Sequence, residues 1–102
     1  FIWVGDVVDV LLWLLDSPQA SGLFNLGTGT ARTYLSVAEA ACRACGLAPG
    51  AEFIDMPEHL RAHYQNFTEA PMARLRAAGY SGQFTPLEDG VAKYAAVLAA
   101  AP

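Results

Sequence analysis

Gly27 and Gly29, in the stretch Leu23-Phe24-Asn25-Leu26-Gly27-Thr28-Gly29-Thr30, constrain this 102-residue chain more than any other feature. Leu23 to Leu26 is a short apolar run bounded by glycines and reads as a brief buried strand. The two glycines allow backbone conformations that a side chain forbids, so the chain can turn sharply out of that strand. A helix follows soon after. Strand, glycine turn and helix can present backbone N–H groups to an anion. They are also the ordinary connection of an α/β protein, and a single G-x-G is a weak signal. No Gly-Lys-Ser/Thr follows, which excludes a P-loop.

The other elements are placed around this turn. Phe1 to Val4 reads as a first strand, broken by Gly5, and Asp6 is suited to cap a helix Val7 to Leu15. That helix is apolar on nearly every side, which predicts burial on several faces. Asp16-Ser17-Pro18 stops it. Ser36-Val37-Ala38-Glu39 has the form of a capping box, predicting a helix from Val37 to Cys45 that Gly46 terminates. Glu52 to Asp55 alternates like a third strand. Thr68 is placed to cap a short helix through Leu75, ended by Gly79. Thr85-Pro86-Leu87-Glu88 combines a cap, a Pro and a Glu at the start of a last helix with Leu87, Val91, Tyr94 and Leu98 on one face. The expected class is α/β, with short strands and about four helices.

Apolar residues make up 54% of the chain and charged ones 16%, which implies a surface normally covered in part. The apolar opening Phe1-Ile2-Trp3-Val4 has no polar lead-in and predicts a piece of a longer protein. A net charge of −4 with scattered basic residues gives no electrostatic footprint for nucleic acid. No apolar run reaches the ~20 residues of a membrane span. Two cysteines three apart make no secreted disulfide framework, so a cytoplasmic enzyme is expected.

Cys42-Arg43-Ala44-Cys45 matches C-x-x-C, but a redox pair belongs at a helix N-terminus, and this one falls in the last turn. His59 and His63 have i, i+4 spacing without a third ligand or a metalloprotease Glu, so no metal site is expected. Asn66-Phe67-Thr68 is a formal glycosylation sequon only. Tyr64 stands apart. It lies with Arg61, His63 and Gln65 in the least regular segment, Glu58 to Phe67, where binding groups tend to sit. Arginine suits phosphate, and tyrosine offers a ring face and a hydroxyl.

Phe1-Ile2-Trp3-Val4-Gly5-Asp6-Val7 and Phe24-Asn25-Leu26-Gly27-Thr28-Gly29 resemble two segments of the extended short-chain dehydrogenase/reductases that act on sugar nucleotides. Tyr64-Gln65 with Phe67-Thr68, and Leu75-Arg76-Ala77-Ala78-Gly79-Tyr80, resemble those members that epimerise an ADP-heptose. The resemblance runs the length of the chain and implies the C-terminal, substrate-binding part (1–102) of such an epimerase. It implies NADP as the cofactor, ADP-heptose as the ligand, a homo-oligomer, and a place in lipopolysaccharide synthesis. In the family, NADP takes a hydride from the sugar and returns it to the other face. The family's nucleotide-binding glycine motif and its Tyr-x-x-x-Lys motif lie N-terminal to this region. The resemblance therefore implies that these 102 residues alone hold no NADP and are inactive. It makes Tyr64 a substrate contact, while His63 stands where the family has Arg and Arg61 lies two positions earlier. A UDP- or dTDP-sugar enzyme of the same superfamily, or a free-standing binding module, are the other readings of the same residues.

Overall fold

A computed structural model describes residues 1–102 and contains five helices. They are α1 (Val4–Leu15), α2 (Tyr34–Ala44), α3 (Glu58–Arg61), α4 (Ala73–Ala77) and α5 (Leu87–Ala100). Helix accounts for 45% of the residues and strand for none, so the expected α/β class with short strands is corrected to an all-helical chain with extended connections.

The correction has a local cause. A strand requires a neighbouring backbone to bond to, and no backbone–backbone hydrogen bond involves residues 21–32 or 48–56. Leu23 to Leu26 still alternates as a strand would. Phe24 and Leu26 pack on the core while Leu23 and Asn25 face outward. Glu52 to Asp55 touches no core at all, with Phe53 and Ile54 each 81% exposed. Val4, assigned to a first strand from sequence, is instead the first residue of α1, and only the residues before it are extended, with Trp3 at φ −69°, ψ 132°.

Helix ends follow the chemistry of their residues. The Thr33 hydroxyl accepts from Ser36 N–H at 3.0 Å and caps α2, so the helix starts one turn before the Ser36 box expected to open it. At its other end Gly46 adopts φ +71°, and Leu47 N–H donates to Cys42 C=O at 2.8 Å, the 6→1 bond of a Schellman motif. Gly79, at φ +112°, closes α4 in the same way, with Tyr80 N–H donating to Leu75 C=O. Thr68 does not cap α4, which is preceded by Met72.

The core is small. Val10 from α1, Leu75 from α4 and Tyr80 form its buried centre, with Trp13, Leu14, Phe24, Leu26, Met72 and Phe84 packed around them. Tyr80 meets Trp13 edge-on at 5.4 Å between ring centroids. A second contact joins α2 to α5, where Ala40 and Gly90 are buried. The shape is open: the radius of gyration is 16.8 Å, against about 13 Å for a compact chain of this length. Accordingly α1 buries one face only, and Val4, Val8, Leu11, Leu12 and Leu15 stay exposed, not buried all round as its composition suggests. On α5, Leu87 and Val91 are half-buried, whereas Tyr94 and Leu98 are exposed.

Asp6 holds α1 to the start of α5. It lies within the first turn of α1, not at its cap, and is 6% exposed. Its Oδ2 accepts from Thr85 N–H at 2.7 Å and its Oδ1 from the Thr85 hydroxyl at 2.8 Å. The Thr85 side chain is thereby used on Asp6 and leaves α5 without a side-chain cap. No helix is long and apolar enough to cross a membrane.

Candidate functional site

Tyr64 follows the single turn of α3, and its neighbours are drawn from segments far away in sequence. It is 42% exposed. Its phenol is held above the usual tyrosine range, first by partial desolvation and then by the adjacent Tyr34 phenol. Tyr34 is the first residue of α2, put there by the Thr33 cap. The Tyr34 ring in turn receives Phe1 edge-on, with centroids 5.3 Å apart and an interplanar angle of 83°. An exposed aromatic group from three segments therefore carries two hydroxyls, a surface that can face a planar base and a polar sugar at once.

Tyr34 was not singled out in the sequence. Its signal was the Thr33-x-x-Ser36 spacing, which starts α2 early enough to bring a tyrosine to the helix end.

The polar residues beside Tyr64 separate. Arg61 Nε–H donates to Met56 C=O at 3.1 Å, so this guanidinium is partly committed to its own segment. His63 N–H closes the turn onto Leu60 C=O, and its side chain is exposed. His59 and His63 join no group of three metal-ligating side chains. Cys42 and Cys45 are free thiols at the C-terminal end of α2.

The glycine turn is turned inward. Thr30 N–H donates to the Thr28 hydroxyl at 3.2 Å, and Ala31 N–H to Glu69 Oε2 at 3.1 Å. Asn25 Nδ2 donates to Pro71 C=O at 3.3 Å. A Cβ on Gly27 would lie 2.8 Å from the Ala70 Cβ, and one on Gly29 3.2 Å from Met72 Cγ. The glycines thus allow close packing on residues 69–72.

Two arginines occupy a separate position. Arg32 spans to α5 and grips Glu88 through both branches of its fork, Nη1–H to Oε2 at 3.2 Å and Nη2–H to Oε1. The pairing holds the Glu88 carboxyl well below its usual range, at about 2. Arg76 Nη1–H donates to the carbonyls of Tyr80 at 2.9 Å and Gly82 at 2.6 Å.

No protein-family model matches the chain. It is 53% identical over 94 residues to the ADP-L-glycero-D-manno-heptose-6-epimerase of Nitratidesulfovibrio vulgaris strain Hildenborough, covering 92% of this chain and 29% of that protein. It is 44% identical to the enzyme of that name from Alkalilimnicola ehrlichii, over 100% of this chain and 32% of the relative. The Thiobacillus denitrificans enzyme is 41% identical, with 92% and 32% covered. The chain spans a little under a third of the length of each of these curated relatives. From end to end, this chain is homologous to one portion of the ADP-L-glycero-D-manno-heptose-6-epimerases.

Proposed function

We propose that residues 1–102 are the C-terminal, substrate-holding part of an ADP-L-glycero-D-manno-heptose-6-epimerase of the lipopolysaccharide pathway in the cytoplasm. The single observation that carries the reading is 53% identity to such an enzyme along 92% of the chain. At that level the fold and the roles of aligned residues are ordinarily kept.

In this reading Tyr64 contacts the ADP-heptose, and Tyr34 and Phe1 complete the surface on which it lies. The half-exposed ring and its neighbouring phenol support that role, since the group is desolvated in part yet open on one side. In this reading NADP, which supplies the redox chemistry of the epimerisation, is held by the rest of the enzyme, where the family's glycine motif and its Tyr-x-x-x-Lys motif lie. What this chain contributes is binding and orientation. It presents the sugar nucleotide to a reacting centre that it does not itself contain. Homo-oligomerisation belongs to the same proposal, supported by the apolar stripe Val4, Val8, Leu11 and Leu15 on α1.

A chimera tests the assignment. The matching region of the Nitratidesulfovibrio vulgaris enzyme is replaced by these 102 residues, and epimerisation of ADP-heptose is followed by NMR of the sugar. Turnover within about tenfold of the parent, some 1.4 kcal/mol, is expected. A folded chimera that retains NADP but does not epimerise contradicts the proposal.

A further inference from the structure

A cleft of about 460 Å³ opens between the glycine turn and the start of α5, lined by Thr28, Thr30, Arg32, Arg76, Gln83 and Phe84 among others. Its volume falls within the ~300–1,000 Å³ of ordinary ligand pockets. No acidic side chain lines it. That is unusual in a chain of 10 acidic and 6 basic residues, because two of the six bases converge on one acid-free wall.

The two guanidiniums are prepared differently. Arg76 is fixed by two carbonyls, and its guanidinium carbon lies 5.1 Å and 5.6 Å from the ring centroids of Phe84 and Tyr80. The ion pairs of the chain are Arg32–Glu88 and Arg43–Glu39, so Arg76 has no carboxylate partner. A cation held in place by neutral groups keeps its charge available. Arg32 is engaged through both branches of its fork by Glu88, which stands outside the cleft lining. Two oxygens of one carboxylate across a guanidinium fork are geometrically what two oxygens of a phosphate present. The Thr30 hydroxyl adds a neutral donor, whereas that of Thr28 already donates to the Thr30 carbonyl at 3.1 Å.

We propose that this cleft binds a phosphate-bearing ligand, its phosphate oxygens shared between Arg32 and Arg76, with the Glu88 carboxylate competing for Arg32. The proposal does not depend on the epimerase reading. A simple phosphate and a nucleoside diphosphate offer the same recognised group, and the assay separates them.

The test is an NMR titration of the ¹⁵N-labelled chain at low ionic strength with pyrophosphate, ADP and adenosine in parallel. Pyrophosphate is expected to give saturable shifts at Thr28, Thr30, Arg32 and Arg76. ADP binding more tightly than pyrophosphate identifies a nucleotide, and equal binding identifies the phosphate alone as the determinant. Arg32→Gln should weaken binding about fivefold or more, as loss of a bidentate charged contact does. Glu88→Gln should tighten it. Because Arg76 also braces the 80–82 turn, Arg76→Lys serves as its variant, keeping charge and losing the fork. No saturable shift at these residues in the folded chain overturns the site, as does unchanged binding in the R32Q variant or no tightening in E88Q. Adenosine shifting the same residues as strongly as ADP overturns the assignment to phosphate.

Discussion

Replacing Asp6 probes the joint on which the positions of α1 and α5 depend. The carboxylate is buried and accepts two hydrogen bonds from one residue 79 positions away, at 2.7 and 2.8 Å. Hydrogen bonds to a charged group contribute about 1.5–3 kcal/mol each. Asp6→Ala removes both and strands the Thr85 N–H in a half-buried position, so a loss of about 3 kcal/mol is expected once the two shared bonds are counted together. For a domain of this size 1 kcal/mol moves Tm by roughly 4–8 °C, which puts the D6A variant about 12–24 °C lower. Asp6→Asn can still accept from Thr85 N–H while donating to the Thr85 hydroxyl. It should forfeit only the charged part, about 1 kcal/mol. Thr85→Val keeps the backbone bond and should lie between the two. Circular-dichroism melts of D6A, D6N, T85V and the D6A/T85V double variant measure all four, and the double variant should cost less than the sum of its parts. A D6A chain melting within about 2 °C of the parent, below the ~0.5 kcal/mol of an ordinary surface change, would refute the reasoning. Strict additivity of D6A and T85V would refute it equally.

The remaining expectations concern Glu88 and Gly27. The Glu88 carboxyl should titrate near 2 by NMR and return toward the ordinary carboxylate range in an Arg32→Gln variant. Because its folded pKa is depressed, the pair's stabilisation is present above the ordinary value of 4.5 and is lost as pH falls toward about 2. Melts between pH 5 and 2, flattened in Glu88→Gln, would display that sign, and an unchanged acid limb would deny it. Gly27→Ala should destabilise by about 1–3 kcal/mol by overpacking, because its Cβ would sit 2.8 Å from Ala70 Cβ. Urea denaturation measures this, and a neutral result would mean that the turn and residues 69–72 separate freely.

Punctuation was legible in the sequence, and pairing was not. Gly46 and Gly79 end helices as written because a left-handed residue after a helix is a local requirement that glycine meets alone. Leu23 to Leu26 was read as a buried strand, but only Phe24 and Leu26 pack on the core, while Leu23 is exposed. Whether such a run becomes a strand depends on a second backbone, and no property of Leu23 to Leu26 reports one. Phe53 and Ile54 show the same gap more severely, since their alternation matches a strand while neither side chain is covered. Asp6 was placed at a cap because caps are local, whereas its partner Thr85 lies at the other end of the chain. Tyr64 was singled out through the irregularity of its segment, whereas nothing local pointed to Tyr34 or Arg32. Their significance comes from contacts with Tyr64 and Glu88 across 30 and 56 positions. Periodicity carries no information about such distances.

The central claim, that Tyr64 holds the sugar nucleotide, is tested most directly by steady-state kinetics of Tyr64→Phe in the chimeric epimerase, with a melting curve on the same protein. Losing one hydroxyl contact worth about 0.5–1.5 kcal/mol should raise KM about 2- to 13-fold and leave kcat mostly intact, the pattern of lost uniform binding. An unchanged KM with a lowered Tm would contradict the account and leave Tyr64 as a packing residue.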